Sequence, residues 1–372
     1  MMKLVLSIVA FIFAYGLINY LIGKRIYKSI NNKIKLPPKL FTILFILLSS
    51  SFILYELIKN YVPTFINKLL YFIGSYYLAF LFYIILLFVI SFIIYRIFKN
   101  KKLNLDLYFY SIILSLILVC IGTYFSHSIS IKNYDIKIDK TLKDDVNIVL
   151  VSDIHLGEVI ENKRLNTLVE KINSLNGDIV LIAGDLVDSD LTPVEEKNML
   201  ISLKDIKSKY GTYLSLGNHD FYTNRSDELK NMLTKVNVNV LRDEITLIND
   251  SFYLIGRDDT TVKRYNEERD SLNTIKSSMD NFNSDKPVIV IDHNPEYLDE
   301  SISNNIDLQV SGHTHKGQVF PINLITDILF DVDYGLGKFQ NTSIVVTSGF
   351  GTWGPPIRIG SSSEIVMIKL HN

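Results

Sequence analysis

Four long apolar stretches occupy the first third of this chain of 372 residues. They run over about 4–23, 40–58, 69–95 and 105–126. Each is close to the ~20 apolar residues that a helix needs to cross a bilayer, and only Glu56 and Asp106 are acidic within them. Because these stretches are apolar all round, they predict spanning helices and not amphipathic surface helices. The first stretch lacks a small-residue cleavage site, so we expect a retained anchor and not a cleaved signal peptide.

The loops between these stretches differ in positive charge. The connections 24–39 and 96–104 carry six and four Lys or Arg residues, whereas 59–68 carries two. Cytoplasmic loops of membrane proteins are enriched in Lys and Arg. We therefore expect a multi-pass protein of the cell membrane with both basic loops in the cytoplasm. Four spans would then place everything after residue 127 on the extracytoplasmic face.

The net charge changes sign at about the same place in the chain. Residues 1–131 hold 13 Lys or Arg and 2 Asp or Glu, a net charge of +11, and the remainder has a net charge of −12. The acidic part disfavours long nucleic acids as partners, because they are bound mainly through cationic contacts to phosphate. We predict a transmembrane region over 1–127, a linker over 128–145 and a soluble domain over 146–372.

The part of the chain after residue 145 has the pattern of an α/β domain. Short apolar, β-branched runs recur at 146–152, 178–184, 212–217, 287–292, 306–312 and 343–349. Between the first two runs, Leu165, Leu168, Val169 and Ile172 have the spacing of one helix face. Buried strands that alternate with helices are typical of α/β folds.

Polar side chains follow five of the predicted strands. The strand ends read Ser-Asp-Ile-His (152–155), Gly-Asp-Leu-Val-Asp (184–188), Gly-Asn-His-Asp (217–220), Asp-His-Asn (292–294) and Gly-His-Thr-His (312–315). In open α/β sheets the ligand crevice lies beyond the carboxyl ends of the strands. Five of the seven histidines of the chain fall in these motifs, so the pattern predicts a functional site at one edge of the sheet.

The residue types in these motifs indicate metal binding. Carboxylate, imidazole and amide donors suit divalent Mn, Fe, Zn or Ni, and the single Cys120 excludes a cysteine-based zinc cluster. Seven candidate ligands are too many for one ion and suit two ions ~3.5–4 Å apart that share a carboxylate. These candidates are Asp153, His155, Asp185, Asn218, His293, His313 and His315.

The ordered series Asp-x-His, Gly-Asp-x-x-Asp, Gly-Asn-His-Asp, isolated His and Gly-His-x-His resembles the calcineurin-like metallophosphoesterase superfamily, and its bacterial membrane-anchored branch in particular. The resemblance covers about 146–372. It implies a β-sandwich flanked by helices, with two divalent metal ions at the strand ends and hydrolysis of a phosphate ester or diphosphate by metal-activated hydroxide. It further implies that Asp185 bridges the two ions, with Asp153, His155 and His315 on the first and Asn218, His293 and His313 on the second.

The resemblance also suggests residues for catalysis and substrate binding. His219 would act as an acid or as a donor to phosphate, Asp220 would orient it, and Asp188 would hold a metal ligand by a hydrogen bond. Arg358, in a Gly/Pro-rich loop, would bind substrate phosphate. Simpler roles stay open, since Asp188 and Asp220 suit helix N-caps, His293 suits an ordinary turn and Arg358 a surface position.

The substrate is less constrained than the metal site. The membrane anchor favours a phosphorylated small molecule or a lipid- or envelope-linked phosphate, but monoesters, diesters and diphosphates all remain open. Two alternatives belong to other functional classes: a non-catalytic sensor that binds metal or phosphate, and a membrane receptor in which the spans act. The first predicts lost ligands and the second predicts polar residues inside the spans, and the sequence shows neither pattern clearly.

Overall fold

The computed structural model describes residues 2–59, 61–99 and 101–372. Its N-terminal part consists of helices α1 (Met2–Asn31), α2 (Pro38–Ile58), α3 (Thr64–Phe98) and α4 (Lys101–His127). All four are long and apolar enough to cross a membrane, as the sequence predicts. The chain divides into two compact units, one of residues 1–123 with 354–356 and one of residues 124–353 with 357–372.

Two local features organise the helical unit. A Cβ atom added at Gly74 of α3 would lie 2.5 Å from the backbone nitrogen of Phe52 in α2, so glycine permits the close helix approach that is common in membranes. The Lys33 ammonium lies 2.6 Å from the Asp106 carboxylate. This ion pair joins the loop after α1 to the start of α4, so the two basic loops lie at the same end of the helices.

The second unit contains two six-stranded sheets. Their strands are β1 (Ile129–Lys137), β2 (Val146–Val151), β3 (Ile179–Ala183), β4 (Thr212–Ser215), β5 (Val238–Val240), β6 (Glu244–Ile248), β7 (Phe252–Gly256), β8 (Val288–Ile291), β9 (Leu308–Ser311), β10 (Gly335–Phe339), β11 (Thr342–Val346) and β12 (Ser363–His371). The orders are β1-β12-β2-β3-β4-β5 and β10-β11-β9-β8-β7-β6. All six predicted strands are present, and each is buried over all or most of its length.

The sheets pack face to face around one apolar core. Leu150 and Leu181 of the first sheet belong to the same buried cluster as Ile289 and Val310 of the second. Helices α5 (Asn162–Ser174), α6 (Thr192–Glu196), α7 (Asn218–Tyr222) and α8 (Ser226–Thr234) pack against the first sheet, and α9 (Leu272–Ser277) and α10 (Leu298–Ser303) pack against the second. Helix α11 (Ile322–Leu329) has no buried residue, and 3-10 turns lie at Met199–Asp205, Thr260–Tyr265 and His315–Gly317. The predicted sandwich flanked by helices is therefore confirmed.

Strand β1 lies in the segment that the sequence predicts as a linker, 128–145. It pairs in parallel with β12 over its whole length, from Ile129 beside Ser363 to Lys137 beside His371. Most of its side chains are exposed or half-buried, and Ile136 alone among its residues is buried. The linker prediction is wrong here, because a mixed polar pattern concealed a strand whose partner lies at the other end of the domain.

The direction of the strands fixes where the functional site lies. β2, β3 and β4 run parallel, and β12 runs antiparallel to β2. The carboxyl ends of β2, β3 and β4 therefore lie at the edge of the sheet where β12 and its parallel neighbour β1 begin. In the second sheet β8 and β9 are also parallel, and the predicted ligands follow their carboxyl ends.

Candidate metal centre

The structure brings all seven candidate ligands together. Asp153 and His155 follow β2, Asp185 follows β3, Asn218 begins α7 after β4, His293 follows β8, and His313 and His315 follow β9. All are buried except His313, which is partly buried. Burial of so many polar groups is costly unless each has a partner. Their mutual distances indicate that the partner could be a metal ion.

Asp153, His155 and His315 form the first group of ligands. One atom from each lies within 4.8 Å of the others. The Nε2 atoms of His155 and His315 are 3.1 Å apart, and His315 Nε2 is 3.2 Å from Asp153 Oδ1. Metal–nitrogen bonds of ~2.0–2.1 Å place neighbouring ligand atoms roughly 3 Å apart. The spacing of these three donors therefore fits a divalent cation.

Asp185, His293 and His313 form the second group. His293 Nε2 is 3.2 Å from Asp185 Oδ2. The Asn218 Oδ1 atom lies 3.1 Å from His293 Nε2 and 2.9 Å from His313 Nδ1, which adds a neutral oxygen donor. Asp185 Oδ2 is also 3.9 Å from His155 Nε2, so this carboxylate lies between the two groups.

The surroundings hold the two carboxylates and His315 in the protonation states that metal binding needs, whereas the neighbouring carboxylates outweigh burial and raise the pKa of His155 and of His293. Burial alone would raise the pKa of Asp153 and of Asp185, but nearby imidazoles outweigh it, so each carboxyl has a pKa below its usual range. Burial lowers the pKa of His315 to about 4. Ionised carboxylates and neutral imidazoles are the forms that bind metal.

A hydrogen bond behind His293 and a carboxylate close to His155 favour ring orientations that direct Nε2 into the site. His293 Nδ1 donates to the Ala183 carbonyl at 2.7 Å, and His155 Nδ1 lies 3.4 Å from Asp188 Oδ1. A proton on Nδ1 leaves the Nε2 lone pair of each ring for the metal. The predicted role of Asp188 in holding a ligand by a hydrogen bond stays a prediction, because His155 Nδ1 has no hydrogen-bond partner among the described residues.

His219 lies beside the metal groups, and its ring contacts Asp188. Its Nδ1 donates to the Asp188 carbonyl and lies 3.5 Å from the Asp188 carboxylate. Asp220 instead accepts the backbone N–H groups of Val187 and Gly217 at 2.9 Å, and burial next to the Asp185 anion raises its pKa to about 7. The contact that orients His219 therefore comes from Asp188 and not from Asp220. Asp220 instead joins the loop of Val187 to the loop of Gly217.

Arg358 is fully buried beside the first group of ligands. Its guanidinium donates to the Gly351 carbonyl at 2.6 Å and the Gly349 carbonyl at 3.2 Å. Its Nη2 atom also lies 3.3 Å from His315 Nδ1. These contacts place the side chain behind a ligand, and its binding of substrate phosphate remains a prediction.

A pocket of about 310 Å³ opens over the ligands. Asp185, His219 and His313 line its polar side. Phe330, at the end of α11, and Trp353 line its apolar side. Helix α11 carries no predicted function, although its apolar stretch Ile-Asn-Leu-Ile-Thr-Asp-Ile-Leu at 322–329 lies a short way past the last histidine motif at 312–315.

Comparison with known proteins agrees with the site geometry. A sequence profile described as calcineurin-like phosphoesterase matches residues 146–317. A metallophosphoesterase of Aquifex aeolicus is 30% identical over 253 residues, which cover 67% of this chain and 93% of that protein.

Two further relatives are longer than the part that matches. A metallophosphoesterase of Helicobacter pylori is 34% identical over 242 residues, 64% of this chain and 63% of that protein. A protein of Danio rerio named transmembrane protein with metallophosphoesterase domain is 30% identical over 234 residues, 60% of this chain and 53% of that protein. This chain thus matches less than two thirds of either of these relatives. With every ligand of the resemblance in place and a relative matched over nearly its whole length, the chain belongs to the calcineurin-like phosphoesterase family.

Proposed function

We propose that this protein is a membrane-anchored phosphoesterase that uses two divalent ions, Mn, Fe, Zn or similar, to hydrolyse a phosphate ester or diphosphate. The observation that carries the proposal is a pair of neighbouring ligand groups, in which Asp185 of the second group lies 3.9 Å from His155 of the first. A single structural ion would need only one of these groups. Shared-carboxylate sites are typical of two-metal hydrolases.

The residues divide the work between them. Asp153, His155 and His315 would hold one ion, and Asn218, His293 and His313 the other, with Asp185 between them. When bound, the two ions supply a water nucleophile of lowered pKa and neutralise the charge of phosphoryl oxygens. Burial of six of the seven ligands limits their contact with bulk water and strengthens these interactions.

His219 is the best-placed proton donor for the leaving oxygen. It lines the pocket beside Asp185, and its Nδ1 is held by the Asp188 carbonyl. This leaves Nε2 for a bound phosphate. In the protonated form of the ring, the nearby Asp188 carboxylate stabilises the imidazolium, and Nε2–H donates a proton as the bond to the leaving group breaks.

The anchor supports a substrate at the membrane. Four helices suitable for spanning confine the catalytic unit to the membrane surface, which raises its effective concentration toward a lipid- or envelope-linked phosphate. The basic loops favour the extracytoplasmic face for this unit. The acidic catalytic part favours a phosphorylated small molecule or lipid over a long nucleic acid.

Hydrolysis by the 372-residue chain in detergent tests the proposal. The protein is stripped with a chelator, reloaded with Mn and offered p-nitrophenyl phosphate, bis-p-nitrophenyl phosphate and a UDP-sugar. We expect turnover that requires Mn. Asp185→Asn should lower kcat/KM by more than about 100-fold, because loss of a group that only hydrogen-bonds to a ligand already costs about 10–100-fold.

Asp280→Asn is the matched control, because Asp280 is an exposed aspartate outside the site. It should leave turnover unchanged. If the protein binds Mn fully yet hydrolyses none of these compounds, in detergent or in lipid, the non-catalytic sensor becomes the better interpretation.

A further inference from the structure

Helix α11 presents a set of large apolar side chains to the surface. None of its residues is buried. Ile328 is 82% exposed and Leu329 71% exposed. With Leu324, Ile325 and the 52% exposed Trp353, they form what we call the apolar rim. Large exposed apolar side chains that cluster on a surface are typical of a binding surface.

The apolar rim adjoins the mouth of the metal pocket. Ile322, Thr326 and Phe330 line the pocket while their neighbours along the same helix face solvent. Trp353 belongs to both, since it lines the pocket and is half exposed. A ligand at the metals would therefore extend past the apolar rim as it leaves the pocket.

The end of α4 lies at the same edge of the domain. Residues 124–127 belong to the catalytic unit, and β1 begins two residues later where β2, β3 and β4 deliver their ligands. Arg164 donates to the carbonyls of Ser126 and His127 at 3.0 and 2.9 Å, and Ser363 Oγ donates to Ser126 at 2.7 Å. The chain thus leaves its last candidate span at the edge that carries the metal site.

Cationic side chains lie at this edge as well. Phe125, from the end of α4, lines a small cavity of about 250 Å³ together with Lys132 and Lys316. Lys316 directly follows the ligand His315. Apolar side chains combined with lysines are typical of surfaces that lie in the headgroup region of a bilayer. A lipid surface is expected near this edge by chain connectivity, because the last candidate span ends at His127 and β1 begins at Ile129. The same connectivity gives no reason to expect a protein partner here.

We propose that the apolar rim inserts into the bilayer interface, so that the metal pocket opens onto lipid headgroups. The substrate class would then be a membrane lipid whose headgroup carries the phosphate ester or diphosphate. Its acyl chains stay in the bilayer beside Ile328, Leu329 and Trp353 while the phosphate enters the pocket. This inference deepens the proposed function and rests on it for the chemistry, but not for the position of the apolar rim.

Trp353 provides a direct test, because it is the only tryptophan in the chain. The full chain is reconstituted in phosphatidylcholine nanodiscs with ordinary acyl chains or with chains brominated near the carbonyl end, and tryptophan fluorescence is measured. We expect the brominated lipid to quench the emission and aqueous iodide to quench it weakly. The proposal would be overturned if iodide quenched the Trp353 emission strongly and brominated lipid did not quench it. Protection from both quenchers would also overturn it and would assign the apolar rim to a protein contact such as a second copy.

A double variant links the apolar rim to the substrate. Ile328→Ser with Leu329→Ser should lower the ratio of activity on phosphatidic acid vesicles to activity on p-nitrophenyl phosphate by at least about tenfold, given the transfer energy of two aliphatic side chains. Ile201→Ser with Leu247→Ser, two exposed apolar residues outside the apolar rim, should leave that ratio unchanged. The inference is contradicted if both double variants have the same ratio of lipid activity to p-nitrophenyl phosphate activity. It is also contradicted if the wild-type protein turns over p-nitrophenyl phosphate but no lipid phosphate.

The two proposals can fail separately. Quenching by brominated lipid in a protein that hydrolyses nothing would reject the phosphoesterase and retain the membrane-inserted rim. Manganese-dependent hydrolysis of p-nitrophenyl phosphate without quenching would do the reverse.

Discussion

Five of the seven candidate metal ligands have left-handed backbone torsions. Their φ angles are 53° for Asp153, 52° for His155, 52° for Asp185, 67° for His313 and 50° for His315. Such torsions are uncommon for residues other than glycine and cost on the order of 1–3 kcal/mol where the conformation is strained. Backbone hydrogen bonds hold them, for example from His155 N to the Asp185 carbonyl at 3.0 Å. The sharp turns aim side chains from separate strands at one place.

Gly217 illustrates how closely the ligands approach the backbone. A Cβ atom at this position would lie 2.2 Å from Asp185 Oδ1. The torsions of Gly217 are extended and suit any residue, so it is the close approach of the Asp185 carboxylate that requires glycine here.

Asp188 is the residue whose contacts connect the candidate metal ligands to the proposed proton donor, His219. Asp188→Asn weakens the contact to His155 and to His219 while leaving a side chain of similar size. We expect a drop of about 10–100-fold in kcat or in Mn affinity, measured by steady-state kinetics at several Mn concentrations. A shift of the Mn requirement would mark the effect on His155, and a lower kcat at saturating Mn the effect on His219.

Asp190→Asn is the matched control for that change, because Asp190 is an exposed aspartate two residues further along the same loop. It should alter neither quantity by more than about twofold, as expected of a surface charge. Equal losses in the two variants would mean that loop charge, and not orientation of the histidines, explains the result.

Strand β1 connects the end of the last candidate span to the catalytic sheet. Its one buried side chain, Ile136, lies opposite Leu370 of β12 and belongs to the core between the two sheets. β12 in turn pairs with β2, the strand that ends at Asp153. Strand β1 is therefore both the edge strand of the first sheet and the point at which the chain enters the domain.

Ile136→Ala should destabilise the catalytic unit. Removal of a buried isoleucine side chain costs about 2–5 kcal/mol, which corresponds to a fall of at least about 4 °C in the unfolding midpoint of a domain of this size. Thermal inactivation of the Mn-dependent activity in detergent measures the effect. Ile131→Ala, on an exposed position of the same strand, should change the midpoint by less than about 1 °C. A midpoint unchanged in both variants would show that β1 is dispensable.

The whole molecule combines a basic helical part with an acidic catalytic part. The Lys33–Asp106 ion pair places both basic loops at one end of the helices, which is the arrangement that four spans with cytoplasmic basic loops require. An even number of spans returns the chain to the side of its N-terminus.

Reporter fusions test this topology. Alkaline phosphatase joined after residue 128 should be active, because it folds only outside the cytoplasm, and the same enzyme joined after residue 32 should be inactive. A fluorescent protein that matures only in the cytoplasm should give the opposite pattern at the two sites. Cytoplasmic activity at residue 128 would reverse the orientation, though not the number of spans.

The sequence by itself determined the parts whose signals are local. Unbroken apolar runs predicted the four long helices, short β-branched runs predicted six strands, and the residues after them predicted the ligand set from Asp153 to His315. These features depend on hydrophobic periodicity and residue chemistry within a few positions. The meeting of the two ligand groups needed only the rule that parallel strands deliver their ends to one edge.

Only the tertiary structure decided which distant segments meet. It paired β1 with β12, brought Asp188 and not Asp220 to His219, buried Arg358 behind His315 and placed Trp353 and α11 at the pocket mouth. None of these contacts leaves a periodic trace in the chain, because each depends on the order and direction of strands far apart in sequence. Side-chain chemistry fixed what the site can bind, and the packing of the two sheets fixed what surrounds it.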